Sequence, residues 1–258
     1  LGCRGRSPWR KIPRAIVTGT HRAPLSHGTR GVALDLVNRM NKRRQPHDQV
    51  SELTTNRLSV YLRCLNEIDA AGVQTISSQA LADQFQHNAA KIRKDLAYFG
   101  EFGIRGVGYY VKDLRRQLRQ ILGLDRGLRV VIMGAGNLGL ALADYPGFRQ
   151  EGFEIAALFD VVNEKIGLGS RGGVPIHDVK ALNRLAQRER YDIAVIAVPT
   201  PHAQPVVDLV VAAGIKAILN FSPGALKVPD DVKLKGVDLT VSLESLSFYL
   251  AQGGETRG

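Results

Sequence analysis

The chain has 258 residues, 44% of them hydrophobic, and a formal net charge of +11. That length and apolar content can bury one large or two modest cores, and two domains is the better expectation. No stretch approaches the roughly 18 apolar residues of a membrane span, and the start of the chain has no signal-peptide h-region. The two cysteines, Cys3 and Cys64, support neither a disulfide framework nor a thiolate metal site, so a reducing cytoplasm and no metal are expected.

The charge is uneven along the chain. Residues 1–39 carry eight Lys or Arg against one acid, Asp35, a surplus of +7 that leaves +4 for residues 40–258. An argument for nucleic acid must therefore rest on local clusters. Residues 1–49 are rich in Arg, Pro, Gly, Ser and His without sustained periodicity, and are expected to be disordered. Three readings stand for them: a basic arm on DNA, an Arg-rich targeting peptide, or upstream sequence translated from a mis-assigned start. The third leads, because the chain begins at Leu1 and Met40 lies just before the first credible helix.

From Asn56, read as an N-cap, Leu58, Tyr61, Leu62, Leu65 and Ile68 recur at helical spacing until Gly72. Ser77 or Ser78 caps a short helix bearing Leu81 and Phe85. After a turn at Gln86 and His87, Asn88 caps a third helix, Ala89 to Phe99, ended by Gly100. This is the outline of a helix-turn-helix unit. Gly103 to Tyr110 then combines permissive glycines with β-formers around Arg105, and reads as a β-hairpin wing. Residues 112–123 form an amphipathic helix, with Leu114, Leu118, Ile121 and Leu122 on one face, that links to a second domain near Gly127.

That domain opens with Leu128 to Met133, a strand running into Gly134-Ala135-Gly136-Asn137-Leu138-Gly139. A strand, a G-x-G-x-x-G turn and a helix bring backbone N–H groups and a helix N-terminus to a pyrophosphate. A second strand, Phe153 to Phe159, is closed by Asp160 at the distance expected of a ribose-binding carboxylate. Such a carboxylate repels a 2′-phosphate, which predicts NAD(H) over NADP(H). Strands at Ile193 to Val198 and Ile215 to Leu219, with a crossover helix at Val206 to Ala213, predict an α/β fold with a Rossmann-like parallel sheet covered on both faces. A last helix, about Leu243 to Ala251, is apolar enough that it must pack on something, a second subunit being one choice.

On the third helix, Lys91, Arg93 and Lys94 lie where a recognition helix meets the major groove, and Arg105 in the wing suits a narrow minor groove. The bland alternative is a solvated basic face. A dehydrogenase would need a proton donor near the nicotinamide, and the candidates are His177 and His202, both read as exposed loop histidines, and Tyr145 at the end of the helix after the glycine turn.

Four segments taken together carry a resemblance: Ile92 to Gly100 (IRKDLAYFG), Arg105 to Tyr109 (RGVGY), Asp144 to Gly147 (DYPG) and Ile218 to Pro223 (ILNFSP). The chain resembles the bacterial redox-sensing repressor family Rex from about Leu58 to the last helix, and residues 1–49 have no counterpart in that pattern. The resemblance implies a homodimer whose winged helices bind a palindromic operator and whose Rossmann domains sense the NADH to NAD+ ratio, NADH releasing the DNA. It implies that the chain is not an enzyme, that Tyr98 joins Lys91, Arg93, Lys94 and Arg105 at the DNA, and that the C-terminal helix is exchanged between subunits. It further implies a switch in which Asp238 bonds Tyr145 in the NADH form and Arg63 in the DNA-bound form. Where some relatives have a phenylalanine after that aspartate, this chain has Leu239. The expected division is a basic extension at 1–49, a winged-helix domain at 50–126, a Rossmann domain at 127–241 and a dimerisation helix and tail at 242–258. The competing readings are an NAD-dependent oxidoreductase with an accessory winged helix and a CoA-binding ligase fragment, since the Rossmann half is distantly similar to CoA-binding domains.

Overall fold

The computed structural model describes residues 50–85 and 88–253, so the expectations for residues 1–49 and for the turn at Gln86 and His87 lie outside the described residues. Helix α1 spans Glu52–Ala70 and begins four residues before the expected cap. Ser51, not Asn56, is the N-cap, its hydroxyl accepting the Thr54 N–H at 3.2 Å. Strand β1 (Thr75–Ile76) leads to α2 (Ser78–Phe85), capped by Ser77 through the Ala80 N–H. Helix α3 (Ala89–Ala97) is capped by Asn88, whose Oδ1 accepts the Ala90 N–H at 2.7 Å, and it stops two residues short of Phe99.

The wing differs from the expected hairpin. Its only ladder contact is a single bridge between Ile104 and Gly108, and β2 (Tyr109–Tyr110) pairs antiparallel with β1 instead. The cause is Gly108: its φ is +97°, and a Cβ there would collide with the Ile76 backbone, so the chain approaches β1 as only glycine can. Helix α4 (Val111–Ile121) then packs on α1. Leu58, Tyr61, Leu62 and Leu65 of α1, Leu81 of α2, Ile92 and Leu96 of α3 and Leu114 and Leu118 of α4 make one core. Each such side chain contributes about 1.5–3 kcal/mol on burial, which outweighs the weak intrinsic stability of helices this short.

The remaining strands form a six-stranded sheet of order β5-β4-β3-β6-β7-β8, with every pairing parallel. They are β3 (Leu128–Met133), β4 (Phe153–Asp160), β5 (Ile176–Asp178), β6 (Ile193–Ile196), β7 (Ala217–Asn220) and β8 (Lys233–Gly236). The helices are α5 (Asn137–Ala143), α6 (Pro146–Gln150), α7 (Leu182–Arg188), α8 (Thr200–Ala212) and α9 (Leu239–Gly253). Alternation along the central strands feeds two layers. Val131, Met133, Phe159, Ala194 and Ile196 meet Leu182, Val207 and Val210 of α7 and α8 on one face, while Val130, Ile132, Leu158 and Val195 meet Ala143 of α5 on the other.

Besides β1, two strands were not anticipated, β5 and β8. Strand β5 puts His177 in the sheet rather than a loop, its ring 5.8 Å from that of Phe159. Helix α8 begins earlier than expected: Pro201 falls in its first turn, where a missing N–H costs little, Pro205 is accommodated inside the helix, and the helix takes in His202. No helix among the described residues is long and apolar enough to cross a membrane.

Candidate functional site

One candidate surface is the outer face of α3. The helix turns Ala89, Ile92, Asp95 and Leu96 inward. Lys91, Lys94 and Tyr98, spaced three and four apart, consequently share the solvent side, with Arg93 on its flank, and all four are exposed. Arg93 donates to the Ser78 hydroxyl at 2.9 Å, tying the basic helix to the start of α2. Arg105 is exposed in the turn between Ile104 and Gly108.

Behind that face lies a group that pattern reading missed. Asp95 is 7% exposed, and its carboxylate accepts from Arg57 Nε at 2.6 Å, Arg57 Nη2 at 2.7 Å and Tyr61 Oη at 3.0 Å. Burial pushes the Asp95 carboxyl up, but the bonds from Arg57 and Tyr61 and the nearby charges of Arg57 and Lys91 outweigh it, so the group titrates below the usual carboxylate range. Burial likewise raises the Tyr61 phenol, to about 12. The sequence signal was an aspartate on the same helix face as Ile92 and Leu96, which demands a partner.

The second candidate site is the crevice at the carboxyl ends of β3 and β6, where strand order reverses in the 3-2-1-4-5-6 arrangement of a dinucleotide fold. The three glycines of the turn differ in what constrains them. Gly134 has φ +103°, and a Cβ there would lie 2.7 Å from the Ala197 carbonyl oxygen; a Cβ on Gly139 would strike the Gly134 carbonyl. Both are required by the protein's own packing. Around Gly136, no atom of the described residues other than its chain neighbours lies within 4 Å of where a Cβ would stand, so packing among them does not explain the glycine. The open space fits a ligand phosphate drawn against the backbone.

Asp160 reaches this turn. Its Oδ2 accepts the Ala135 N–H at 2.7 Å, its Oδ1 accepts the N–H groups of Val161 and Val162 at 2.8 and 3.0 Å, and the Lys165 ammonium is 3.6 Å away. Burial pushes this carboxyl up, and the three backbone bonds and Lys165 more than reverse it, keeping the group ionised. Asp160 thus fastens the glycine turn to β4. The exposed Asn137 and Leu138 lie at the rim of the crevice, where α5 begins.

The DYPG and ILNFSP segments have structural explanations. Asp144 accepts the Ser170 hydroxyl at 2.5 Å and the Gly172 N–H at 2.8 Å, which hold its carboxyl below the usual range. Tyr145 follows α5 rather than ending it and is the N-cap residue of α6. Its ring covers Gly147, where a Cβ would overlap it, and meets Phe148 edge-on at 5.1 Å. Asn220, buried at the end of β7, accepts the Ser222 N–H and donates to the Ser222 carbonyl, while the Ser222 hydroxyl donates to the Val198 carbonyl beside β6. Within the single chain, Asp238 accepts the Thr240 and Val241 N–H groups at 2.9 and 3.3 Å and so caps α9; Tyr145 and Arg63 are exposed. No group of three or more His, Cys, Asp or Glu among the described residues is arranged to hold a metal.

A helix-turn-helix lobe with a basic outer face, joined to a Rossmann sheet with an open glycine cradle, is the build of a ligand-responsive DNA-binding protein. The family model described as a putative DNA-binding protein N-terminus matches residues 49–97, and that described as a CoA binding domain matches residues 125–224. The redox-sensing transcriptional repressor Rex of Syntrophomonas wolfei is 52% identical over 203 residues, covering 79% of this chain and 96% of the relative. That of Thermus thermophilus is 50% identical over 204 residues, covering 78% and 94%. The chain belongs to the Rex family. Among solved structures, RSP in complex with β-NAD+ and operator DNA aligns with a TM-score of 0.76 at 41% identity, covering 80% of this chain and 94% of that one. RSP in complex with β-NADH aligns with a TM-score of 0.71 at 40% identity, covering 80% and 96%.

Proposed function

We propose that this chain is a redox-sensing transcriptional repressor that binds operator DNA and is released when NADH binds, and that it acts as a sensor rather than an enzyme. The observation that carries the reading is Gly136, whose surroundings the protein leaves open beside the ionised Asp160. The relatives named Rex and the RSP complexes with β-NAD+, operator DNA and β-NADH support it.

In this reading the N–H groups of the turn Gly134, Ala135, Gly136, Asn137, Leu138 and Gly139 hold the pyrophosphate, and Asp160 accepts from the adenosine ribose and repels a 2′-phosphate. The same repulsion disfavours CoA, whose ribose is also phosphorylated, so the CoA-named family match speaks for the fold of residues 125–224. Lys91, Arg93, Lys94 and Tyr98 meet the major groove of a palindromic operator and Arg105 the minor groove. The winged-helix unit comprises residues 50–126, the Rossmann unit 127–241 and the dimerisation helix and tail 242–258. Leu239, Leu243, Leu246, Phe248, Tyr249 and Leu250 of α9 are each more than half exposed in the single chain, which supports a homodimer that exchanges this helix. Acting on chromosomal DNA, the protein works in the cytoplasm.

The switch requires differential affinity, because a ligand that binds both arrangements equally shifts nothing. Asp238 trades its partners between Tyr145 with NADH bound and Arg63 with DNA bound. NAD+ and NADH differ by a hydride and one positive charge on the nicotinamide. An apolar pocket, lined in part by Leu239 of the exchanged helix, favours the neutral reduced ring because burying the cation costs desolvation. Titration of the full chain with NADH, NAD+ and NADPH, followed by cofactor fluorescence and calorimetry, should rank NADH first and NADPH last. Equal affinities for NADH and NAD+ would overturn the charge argument.

A further inference from the structure

The Rossmann sheet and the helix-turn-helix lobe are tied by one side chain that neither proposed site uses. Lys235 stands near the end of β8, an edge strand paired only with β7, three residues before Asp238. Its ammonium lies 2.8 Å from Glu52 Oε1 and donates to Asn56 Oδ1 at 3.1 Å. Glu52 and Asn56 are one turn apart at the start of α1, so a single cation holds two groups on one helix face. The next residue, Arg57, carries the bidentate bond to Asp95 of α3. A displacement of the start of α1 is thereby passed to the basic helix through a buried, geometrically demanding contact.

We propose that Lys235 is a positioning residue: its ties to Glu52 and Asn56 hold the DNA-binding lobe in the arrangement that grips the operator, and NADH-driven release works against them. The inference rests on the repressor reading above. Its direction follows from the connection to α3: Glu52 and Asn56, held by Lys235, precede Arg57, which clamps Asp95 of the helix that carries Lys91, Arg93 and Lys94. An exposed ion pair is weak in isolation. Placed on the balance between two arrangements, it still shifts the apparent affinity for both ligands, in opposite senses.

The test uses the full chain in anisotropy titrations on an inverted-repeat operator, with Glu52→Gln, Lys235→Gln and the reversed pair Glu52→Lys with Lys235→Glu. Both single variants should bind the operator about two- to fivefold more weakly and be released by correspondingly less NADH. The reversed pair should return both quantities close to wild type. Glu52→Gln is the sharpest arm, because removing an acid near DNA strengthens binding through general electrostatics, whereas loss of the tie weakens it. Tighter or unchanged binding by Glu52→Gln overturns the proposal, as does a reversed pair that fails to recover. A fall of about one in the salt slope for Lys235→Gln also overturns it, since that marks a phosphate contact. Wild-type protein that ignores NADH defeats the repressor reading and this proposal with it; normal wild-type release with unchanged variants defeats this proposal alone.

Discussion

Replacing Asp95 with Asn tests whether the buried pair behind α3 organises the DNA-binding lobe. The carboxylate receives three hydrogen bonds, two from the Arg57 guanidinium and one from Tyr61. An asparagine turns one acceptor oxygen into an NH2 group facing those donors and leaves the guanidinium, whose side chain is 18% exposed, without its counter-charge. Removing one partner of a buried pair costs about 3–5 kcal/mol, and because Arg57 keeps some water the loss here falls at about 2–4 kcal/mol. Against a total stability of about 5–15 kcal/mol the variant still folds. For a lobe of fewer than 100 residues, at about 4–8 °C per kcal/mol, its Tm drops by about 8–30 °C, read by circular dichroism. NADH binding at low temperature should persist, because the core around Asp95 is separate from the two layers of the Rossmann sheet. Operator binding should weaken. The pH dependence has a fixed sign: the folded Asp95 pKa lies below its unfolded value near 3.9, so the pair's contribution is complete above that pH and is lost as pH falls through the folded value. The Asn variant lacks that acid-side loss. A wild-type Tm for Asp95→Asn, or parallel loss of NADH and operator binding, would refute this account.

Gly136→Val should abolish NADH binding by filling the open cradle while leaving operator binding and Tm near wild type, because no protein atom crowds that position; unchanged NADH titrations would show that the pyrophosphate lies elsewhere. Arg93→Ala should weaken operator binding by about 1–3 kcal/mol if the guanidinium leaves Ser78 for a base edge, with NADH affinity unaltered in the same preparation. On the alkaline side, Tyr61, raised to about 12 in the folded chain against about 10 unfolded, contributes stability that is fully present below pH 10 and is lost as pH rises towards 12. Urea midpoints for wild type and Tyr61→Phe across that window should therefore converge.

Much of this was legible in the chain because hydrophobic period and turn chemistry agree there. Leu128 to Met133 before a glycine turn, and Asn88 before a periodic run, each state their element twice, in periodicity and in punctuation. Asp160 was found by its distance from Gly134, though its bond to the Ala135 N–H was not, since that contact depends on strand register. The missed strands β5 and β8 are three and four residues long and carry His, Asp and Lys, so their alternation is too brief to read. The wing was misjudged for a different reason: glycines signal a bend without saying which strand the bend approaches, and Tyr109 and Tyr110 pair with a partner more than thirty residues earlier. Asp95 and Lys235 belong to contacts spanning 38 and 179 residues, which no local pattern encodes.

The most direct test of the central claim is operator release. Fluorescence anisotropy of the full chain on a labelled inverted-repeat operator, at one fixed salt concentration, is followed while NADH, NAD+ or NADPH is added. The account predicts binding without NADH, release by NADH, and little effect of NAD+ or NADPH. No operator binding under any cofactor condition, or release by all three alike, would contradict it.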